Sequence, residues 1–435
     1  MKTKTSYTCS ACGHMSPKWI GKCPECEAWN SFDQTVEDFS RVKSHTRVEA
    51  KEVKSLTVEA GDMNAKRIPL SMEEANRVLG GGILEGSITL LTGEPGIGKS
   101  TLTIQICDQL ANLGKKVLYV SGEESQHQIA GRAQRLGINT DKLLFLAETN
   151  SETILESIKK SKPDFVVIDS VQVLSSHDIP STSGSISQVR YAAELFMEFA
   201  KTTNTPVLLI GHVTKDGNLA GPRVLEHLVD TVLYLEGDKF HQFRILRSQK
   251  NRFGSTNEIG IFEMGEKGLV EVANPSAQFL EGRQAKAIGS AITVTLEGTR
   301  PILIEVQALA NITPFGYPKR TATGYDTNRM QLLISVLQKY ARMNLSNQDV
   351  FVNVVGGMKI NDPSCDLGVL MAIASSFLQK TIPSDTCYIG EVGLSGEIRT
   401  VAQLDKRVKE AKKLGFKKVV TPAQVKDILS AVKGL

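Results

Sequence analysis

The sequence predicts an α/β protein: a parallel sheet covered by helices on both faces, with a small cysteine-bound module ahead of it and a separate α+β domain behind it. Three observations carry this. Short β-branched runs alternate with helical patterns between residues 66 and 275. A glycine-rich loop stands where one of those runs gives way to a helix. Four of the seven cysteines lie within the first 26 residues.

The composition agrees with a globular chain. Its 435 residues suggest about three domains at roughly 150 residues each. With 41% hydrophobic and 23% charged residues, collagen-like, fibrous and disordered classes fall away. A net charge of +4 is too mild to diagnose a nucleic-acid binder, though it permits one if the charge is concentrated. No apolar run approaches the ~18 residues of a membrane helix. The start, MKTKTSYTCSACG, lacks the apolar core of a secretory signal. A cytoplasmic location is expected.

Residues 1–32 form the first module. Cys9-x2-Cys12 and Cys23-x2-Cys26 are two knuckles whose thiolates can complete a closed tetrahedral shell around one zinc ion. A closed shell leaves no place for water, so the site is read as structural. Metal replaces the core that so small a module lacks, and Trp19, Trp29 and Phe32 are expected to pack around it. His14 is read as a bystander. Residues 33–65 are polar and aperiodic, as in a linker.

From 66 to 275 the runs SITLLTG, KVLYVSG, LLFLAE, FVVIDS and PVLLIGH read as parallel strands buried on both faces. TVLYLEG, FRILRSQKN and IGIFEM follow without helices and read as an antiparallel extension. After the first strand comes Gly93-Glu94-Pro95-Gly96-Ile97-Gly98-Lys99-Ser100, matching G-x4-G-K-[ST] in the strand–loop–helix context that gives the pattern its meaning. Glycines let the main chain wrap phosphates, and the helix N-terminus stabilises the anion. Lys99 is expected on the β- and γ-phosphates of ATP and Ser100 on Mg2+, with Thr101 completing the nucleotide-contacting stretch. Asp169, ending FVVIDS, is the second magnesium candidate. Glu123 and Glu124 follow KVLYVSG, and one of them is the candidate general base. His212, ending PVLLIGH, is a candidate γ-phosphate sensor.

After Asn274-Pro275 the pattern changes. A strand pair in SAITVTLEGTRPILIEVQALAN, a helix near 326–343, a strand FVNVVGG, a helix over 366–380 and a strand–helix–strand close define a domain over 276–435.

VLGGGILEGSITLLTGEPGIGKSTL, the acids after the next strand and the lone Asp ending FVVIDS resemble the RecA-like ATPase core. With a four-cysteine module in front, KNRFG at 250–254 and a tail similar to the Lon protease domain, the chain resembles the bacterial RadA (Sms) family. That resemblance implies a DNA-dependent ATPase: a ring-forming, hexameric, helicase-like motor that drives branch migration of recombination intermediates in DNA repair. It implies single-stranded and branched DNA and a RecA-type recombinase filament as partners.

Lys250 and Arg252 alternate on a strand and so point the same way. They resemble the paired cationic fingers that hexameric helicases extend into a neighbour's nucleotide, with gripping DNA a second option and a surface charge pair the plain alternative. The segments 175–190 and 213–227 correspond to loops lining the DNA channel in RecA-like proteins. Arg190, Lys215 and Arg223 are their cations available to phosphates.

The tail keeps a serine, Ser364, at the place of the Lon nucleophile. Asp405 stands where the lysine base belongs, and Lys406 is one residue late, about 100° around a helix. A serine without its base is a weak nucleophile, so a retained fold without proteolysis is expected. Lys406, Arg407, Lys409, Lys412, Lys413, Lys417 and Lys418 make this stretch a candidate basic platform. The alternatives are a RecA-fold regulatory ATPase or autokinase acting on protein partners, and, less favoured, an ATP-dependent peptidase.

Overall fold

Apolar runs bounded by turn residues become strands because only a pleated segment can bury a continuous β-branched stretch between two helical layers. The structure, a computed structural model, describes residues 4–9, 15–25, 28–37, 67–212, 222–237, 243–284, 286–314 and 316–435. The chain divides into two units. One comprises Met1–Gly237, Gln242–Thr256 and Phe262–Glu271; the other comprises Asp238–His241, Asn257–Ile261 and Val272–Leu435.

In the first unit, β1 (Lys4–Cys9), β2 (Met15–Ser16) and β3 (Phe32–Glu37) form an antiparallel sheet in the order β2-β1-β3. β3 therefore takes residues 33–37 out of the segment expected to be a linker. Cys9 faces Phe32 across the ladder, and both share a small buried cluster with Cys23. Of the three aromatics expected in this cluster only Phe32 is buried. Trp19 and Trp29 are 52% and 72% exposed.

β4 (Arg67–Ile68), α1 (Glu73–Leu79) and β5 (Ile83–Leu84) lead into β6 (Ile88–Gly93). Then follow α2 (Lys99–Asn112), β7 (Val117–Ser121), α3 (Gln126–Arg135), β8 (Leu143–Ala147), α4 (Ser151–Ser161), β9 (Phe165–Asp169), α5 (Ile186–Thr203), β10 (Val207–Ile210), α6 (Pro222–Glu226) and β11 (Thr231–Glu236). β12 (Phe243–Asn251), β13 (Ile259–Gly265) and β14 (Gly268–Glu271) complete a nine-stranded sheet ordered β14-β13-β12-β11-β6-β10-β9-β7-β8.

Alternate residues of each strand serve opposite faces, as the pleat requires. Leu91, Tyr119 and Val167 pack with Leu102, Ile106 and Leu110 of α2. Leu90, Val120 and Ile168 pack with Val189 and Phe196 of α5. TVLYLEG, contrary to expectation, is not part of the antiparallel extension, because β11 runs parallel to β6 and the antiparallel pairing starts at β12. The short helix α6 lies within the connection that returns the chain in the same direction, and its five residues were too few to show a helical period.

The second unit begins with α7 (Pro275–Phe279), β15 (Ser290–Glu297), β16 (Arg300–Ile312), β17 (Arg320–Thr323), α8 (Thr327–Tyr340), β18 (Gln348–Val354) and α9 (Asp366–Leu378). It closes with β19 (Thr386–Tyr388), β20 (Glu391–Val392), β21 (Ile398–Arg399), α10 (Leu404–Lys413), β22 (Lys418–Val420) and α11 (Ile428–Lys433). The six-stranded sheet runs β17-β18-β16-β15-β19-β22. The predicted strand pair is the β15–β16 hairpin, closing at Glu297 and Arg300. α9, buried along Asp366–Ser376, packs against its strands. Among the described residues no helix is long and apolar enough to cross a membrane.

Candidate active site

The glycine-rich loop leaves the carboxyl end of β6 and turns into α2. Gly93 has φ +150°, and a Cβ there would meet Leu235 O at 2.2 Å, so only glycine fits. Gly98, at φ +117°, is the N-cap of α2 and offers no side-chain acceptor to the first-turn N–H groups. Those donors stay available to an anion. Glu94, Pro95 and Gly96 are exposed, while Ile97 is buried and its carbonyl accepts from Arg244 Nε at 3.1 Å. Arg244, a loop anchor, is absent from the phosphate-loop pattern and could not be assigned from it.

Lys99 Nζ donates to the carbonyls of Gly93 and Glu94 at 2.9 and 3.0 Å, folding back over the loop. Burial pulls its amine below the usual range, while Asp169 and Glu123 act in the opposite direction. Ser100 Oγ donates to Asp169 Oδ2 at 3.2 Å, so the two magnesium candidates meet although β10 separates their strands. Asp169 is only 5% exposed. Burial raises its carboxyl, partly offset by the hydrogen bond from Tyr119. Thr101 follows in the first turn of α2, half-buried. The open helix N-terminus, the lysine and the paired hydroxyl and carboxylate are a donor set that fits a triphosphate with Mg2+.

The two acids after β7 part ways. Glu123 accepts a short hydrogen bond from Ser170 Oγ, and its Oε2 lies 3.6 Å from His212 Nε2. His212, with further help from Ser170 and Lys99, holds the Glu123 carboxyl below its usual range against the opposing effect of burial. Glu124 instead forms a bidentate pair with Arg132 at 2.7 and 2.6 Å. Glu123 thus faces the phosphate loop, and Glu124 is committed to α3. Gln172 donates to the His212 carbonyl at 3.1 Å, tying the chain after β9 to the end of β10.

KNRFG closes β12. Lys250 lies in the strand and Arg252 in the turn beyond it, but both reach residues 226–230. Lys250 Nζ donates to the carbonyls of Glu226 and Val229 at 2.7 and 2.8 Å. Arg252 Nη1 lies 3.3 Å from Asp230 and keeps 53% of its side chain exposed. Asn251 points elsewhere, donating to Val78 O at 3.3 Å, as alternation requires. Gly254 permits close approach to Gly80: a Cβ would meet Gly80 Cα at 3.3 Å.

The channel-loop expectations are corrected in part. The segment expected as a loop through 190 becomes helix at Ile186, with Ser185 as its N-cap. Arg190 therefore sits on α5, paired with Glu194 one turn on at 2.8 Å. Lys215 lies outside the described residues, as do Cys12, Cys26 and His14. Arg223 falls within α6, with its side chain undescribed. Of the zinc candidates, Cys9 and Cys23 are each 1% exposed in one cluster, a pair of buried thiols that suits thiolate ligation by a soft metal.

In the second unit, Ser364 is fully buried. Its Oγ donates to Val294 O at 3.1 Å and accepts from Arg407 Nη1 at 2.7 Å. Arg407, only 2% exposed, also pairs with Asp362 at 2.6 Å. The group on the serine is a permanent cation that cannot take its proton. Arg407 must therefore be withdrawn from the basic platform. Lys406, Lys409, Lys412, Lys413, Lys417 and Lys418 remain exposed.

A phosphate loop at the carboxyl edge of a doubly covered parallel sheet, facing an acid that ends the strand next but one, defines a P-loop ATPase with a RecA-like core. Residues 50–218 match the family described as AAA domain, residues 7–34 the rubredoxin metal binding domain, and residues 309–425 the subunit ChlI of Mg-chelatase. The protein is 49% identical over 450 residues to the DNA repair protein RadA of Bacillus subtilis (strain 168), covering 100% of this chain and 96% of the relative. It is 50% identical over 424 residues to the DNA repair protein RadA of Listeria monocytogenes, covering 97% and 92%. The DNA repair protein RadA of Streptococcus pyogenes serotype M1 is 50% identical over 437 residues, covering 100% and 96%. A solved RadB recombinase aligns with 46% of this chain and 98% of its own at 22% identity and a TM-score of 0.38. The chain belongs to the RadA family.

Proposed function

We propose that this protein is a DNA-stimulated ATPase of DNA repair and recombination: a helicase-type motor that moves on single-stranded DNA and promotes branch migration. It works as a homo-oligomeric, hexameric ring in the cytoplasm, beside a RecA-type recombinase filament. The names of its relatives support the repair setting. One observation carries the motor reading: the candidate base Glu123 is held by Ser170 and His212, which stand just beyond the ends of β9 and β10. The base is thereby linked to both chain segments proposed to meet DNA.

Lys99 takes the β- and γ-phosphates, and Glu123 orients the attacking water and receives its proton. Magnesium, held by Ser100 and Asp169, supplies charge neutralisation on the phosphate oxygens. Cys9, Cys12, Cys23 and Cys26 hold a structural zinc ion. In domain terms, the zinc module extends through β3 to residue 37, with the linker after it to residue 65. Residues 66–275 are the motor and 276–435 a Lon-like platform without proteolysis.

Lys250 and Arg252 act in trans on this reading. Thr231 is in register with Thr89 of β6 and with Asn251 of β12, so KNRFG lies at the amino end of the phosphate-loop strand. From Thr89 to Gly93 the strand spans about 13 Å at ~3.3 Å per residue. The fingers are on the wrong edge to serve their own nucleotide, which favours a neighbour's nucleotide as their target over a DNA-gripping role. Asp230 supports them, bonding Arg252, Lys201 and the Ile88 N–H.

A labelled three-stranded DNA junction tests the proposal. Wild-type protein with ATP should release the displaced strand, whereas Lys99→Ala and Arg252→Ala should each release little. Mixing the two variants should restore part of the activity, since some sites would then pair an intact loop with an intact finger. No ATP-driven release by wild type would refute the motor; no restoration on mixing would refute shared sites.

A further inference from the structure

Asp169 is a nearly buried carboxylate, and its orientation depends on very few atoms. Tyr119 sits on β7, the strand beside β9, with its ring 2% exposed and its backbone in register with Val167. Its hydroxyl donates to Asp169 Oδ2 at 2.5 Å. Ser100 Oγ reaches the same oxygen at 3.2 Å. Among the described residues Oδ1 has no hydrogen-bond donor.

The two donors are not equivalent. Ser100 stands in the first turn of α2 and would offer its own oxygen to magnesium, so its hold on Asp169 is shared with ligation. Tyr119 comes from the sheet itself, on the packed face that α2 covers, where Leu91 and Val167 belong to the same core. We propose that Tyr119 is a positioning residue for the metal–nucleotide site: its hydroxyl clamps Asp169 Oδ2 and so aims the carboxylate toward Ser100 and the magnesium ion. This rests on Ser100 and Asp169 being the magnesium candidates. The bond from an outer residue to a metal-facing carboxylate fixes its orientation before the ion arrives. A phenylalanine would fill the same space without that bond, so the hydroxyl is separable from the packing.

The test uses full-length Tyr119→Phe and Asp169→Asn. Binding of a fluorescent non-hydrolysable ATP analogue is followed while Mg2+ is titrated, and Mn2+ binding is read by electron paramagnetic resonance with nucleotide present. Tyr119→Phe should raise the half-saturating metal concentration about tenfold, within the range for loss of an outer-sphere partner. Its binding of metal-free nucleotide, and its melting temperature without metal, should stay close to wild type. Asp169→Asn should show a larger metal defect. If Tyr119→Phe titrates like wild type while Asp169→Asn loses its metal response, Tyr119 only fills space and the proposal falls. If Asp169→Asn also titrates like wild type, the magnesium assignment itself is wrong and the proposal falls with it.

Discussion

Glu123→Gln is expected to lower ATP turnover about 10²–10³-fold, the contribution of a positioned base, while nucleotide affinity stays near wild type. The amide can still accept from Ser170, so the local arrangement survives. What is lost is the capacity to take a proton from water. The direction of the pKa shift supports the role: a carboxyl held below its usual range is ionised above that value and loses its base form only as pH falls through it. Glu124→Gln is the matched control. It weakens the pair with Arg132, whose partners are 30% and 23% exposed, and should cost about 1 kcal/mol or less with turnover reduced less than tenfold. Initial rates of phosphate release, together with fluorescent nucleotide binding, separate the two. A dead Glu124→Gln beside an active Glu123→Gln would reverse the assignment.

Arg407→Ala should produce the largest stability loss in the second unit. Arg407 joins α10 to β15 and to the turn before α9. Its guanidinium bonds Asp362, Ser364 Oγ and Val294 O through Nη1, and Ala402 O through Nε. Removing a buried partner leaves acceptors behind, and such losses run about 3–5 kcal/mol. Asp362 keeps other donors, the N–H groups of Leu296 and Ser364, and is partly exposed, which favours the lower figure. About 3 kcal/mol in a domain of this size moves its melting transition down by roughly 6–12 °C. Ser364→Ala removes one hydroxyl and should cost only about 1–2 kcal/mol. Neither variant should change peptide hydrolysis, which the wild type should lack. Calorimetry and a fluorogenic peptide assay check both statements. Serine-dependent cleavage by wild type, abolished in Ser364→Ala, would overturn the inert-serine reading.

The phosphate loop was legible in the sequence because its chemistry needs a fixed spacing of Gly93, Gly98, Lys99 and Ser100. Asp169 was legible because burying a carboxylate at the end of an apolar strand is costly, and a ligand cation offsets that cost. Glu123 and Glu124 are adjacent and chemically alike, so only three-dimensional partners could part them: Ser170 for one and Arg132 for the other. Tyr119 read as one more apolar strand residue, since its core-facing ring hides the function of its hydroxyl. Arg407 read as one cation in a basic run. Its burial follows from the helical position that turns it inward while Lys406 and Lys409 face solvent. Trp19 and Trp29 were expected to pack around the module because a metal-held module lacks a core of its own. The cluster of Cys9, Cys23 and Phe32 is too small to enclose them as well.

The sheet's direction changes followed the same division. Strand identities came from local apolar runs, but the parallel course of β11 follows from its pairing with β6, which no local pattern announces. Arg190 looked like a loop cation because Gly/Ser content dominates 175–185. The helical pattern that begins at Ile186 was submerged in it.

Hydrolysis that responds to DNA is the central property of the proposed motor. ATPase rates of the full-length protein, with and without single-stranded DNA at two salt concentrations, measure that response directly. Turnover should rise when DNA is added at low salt, and the stimulation should shrink at high salt as phosphate contacts are screened. An identical rate with and without DNA at low salt, from protein that also fails to retain DNA in any nucleotide state, would contradict it.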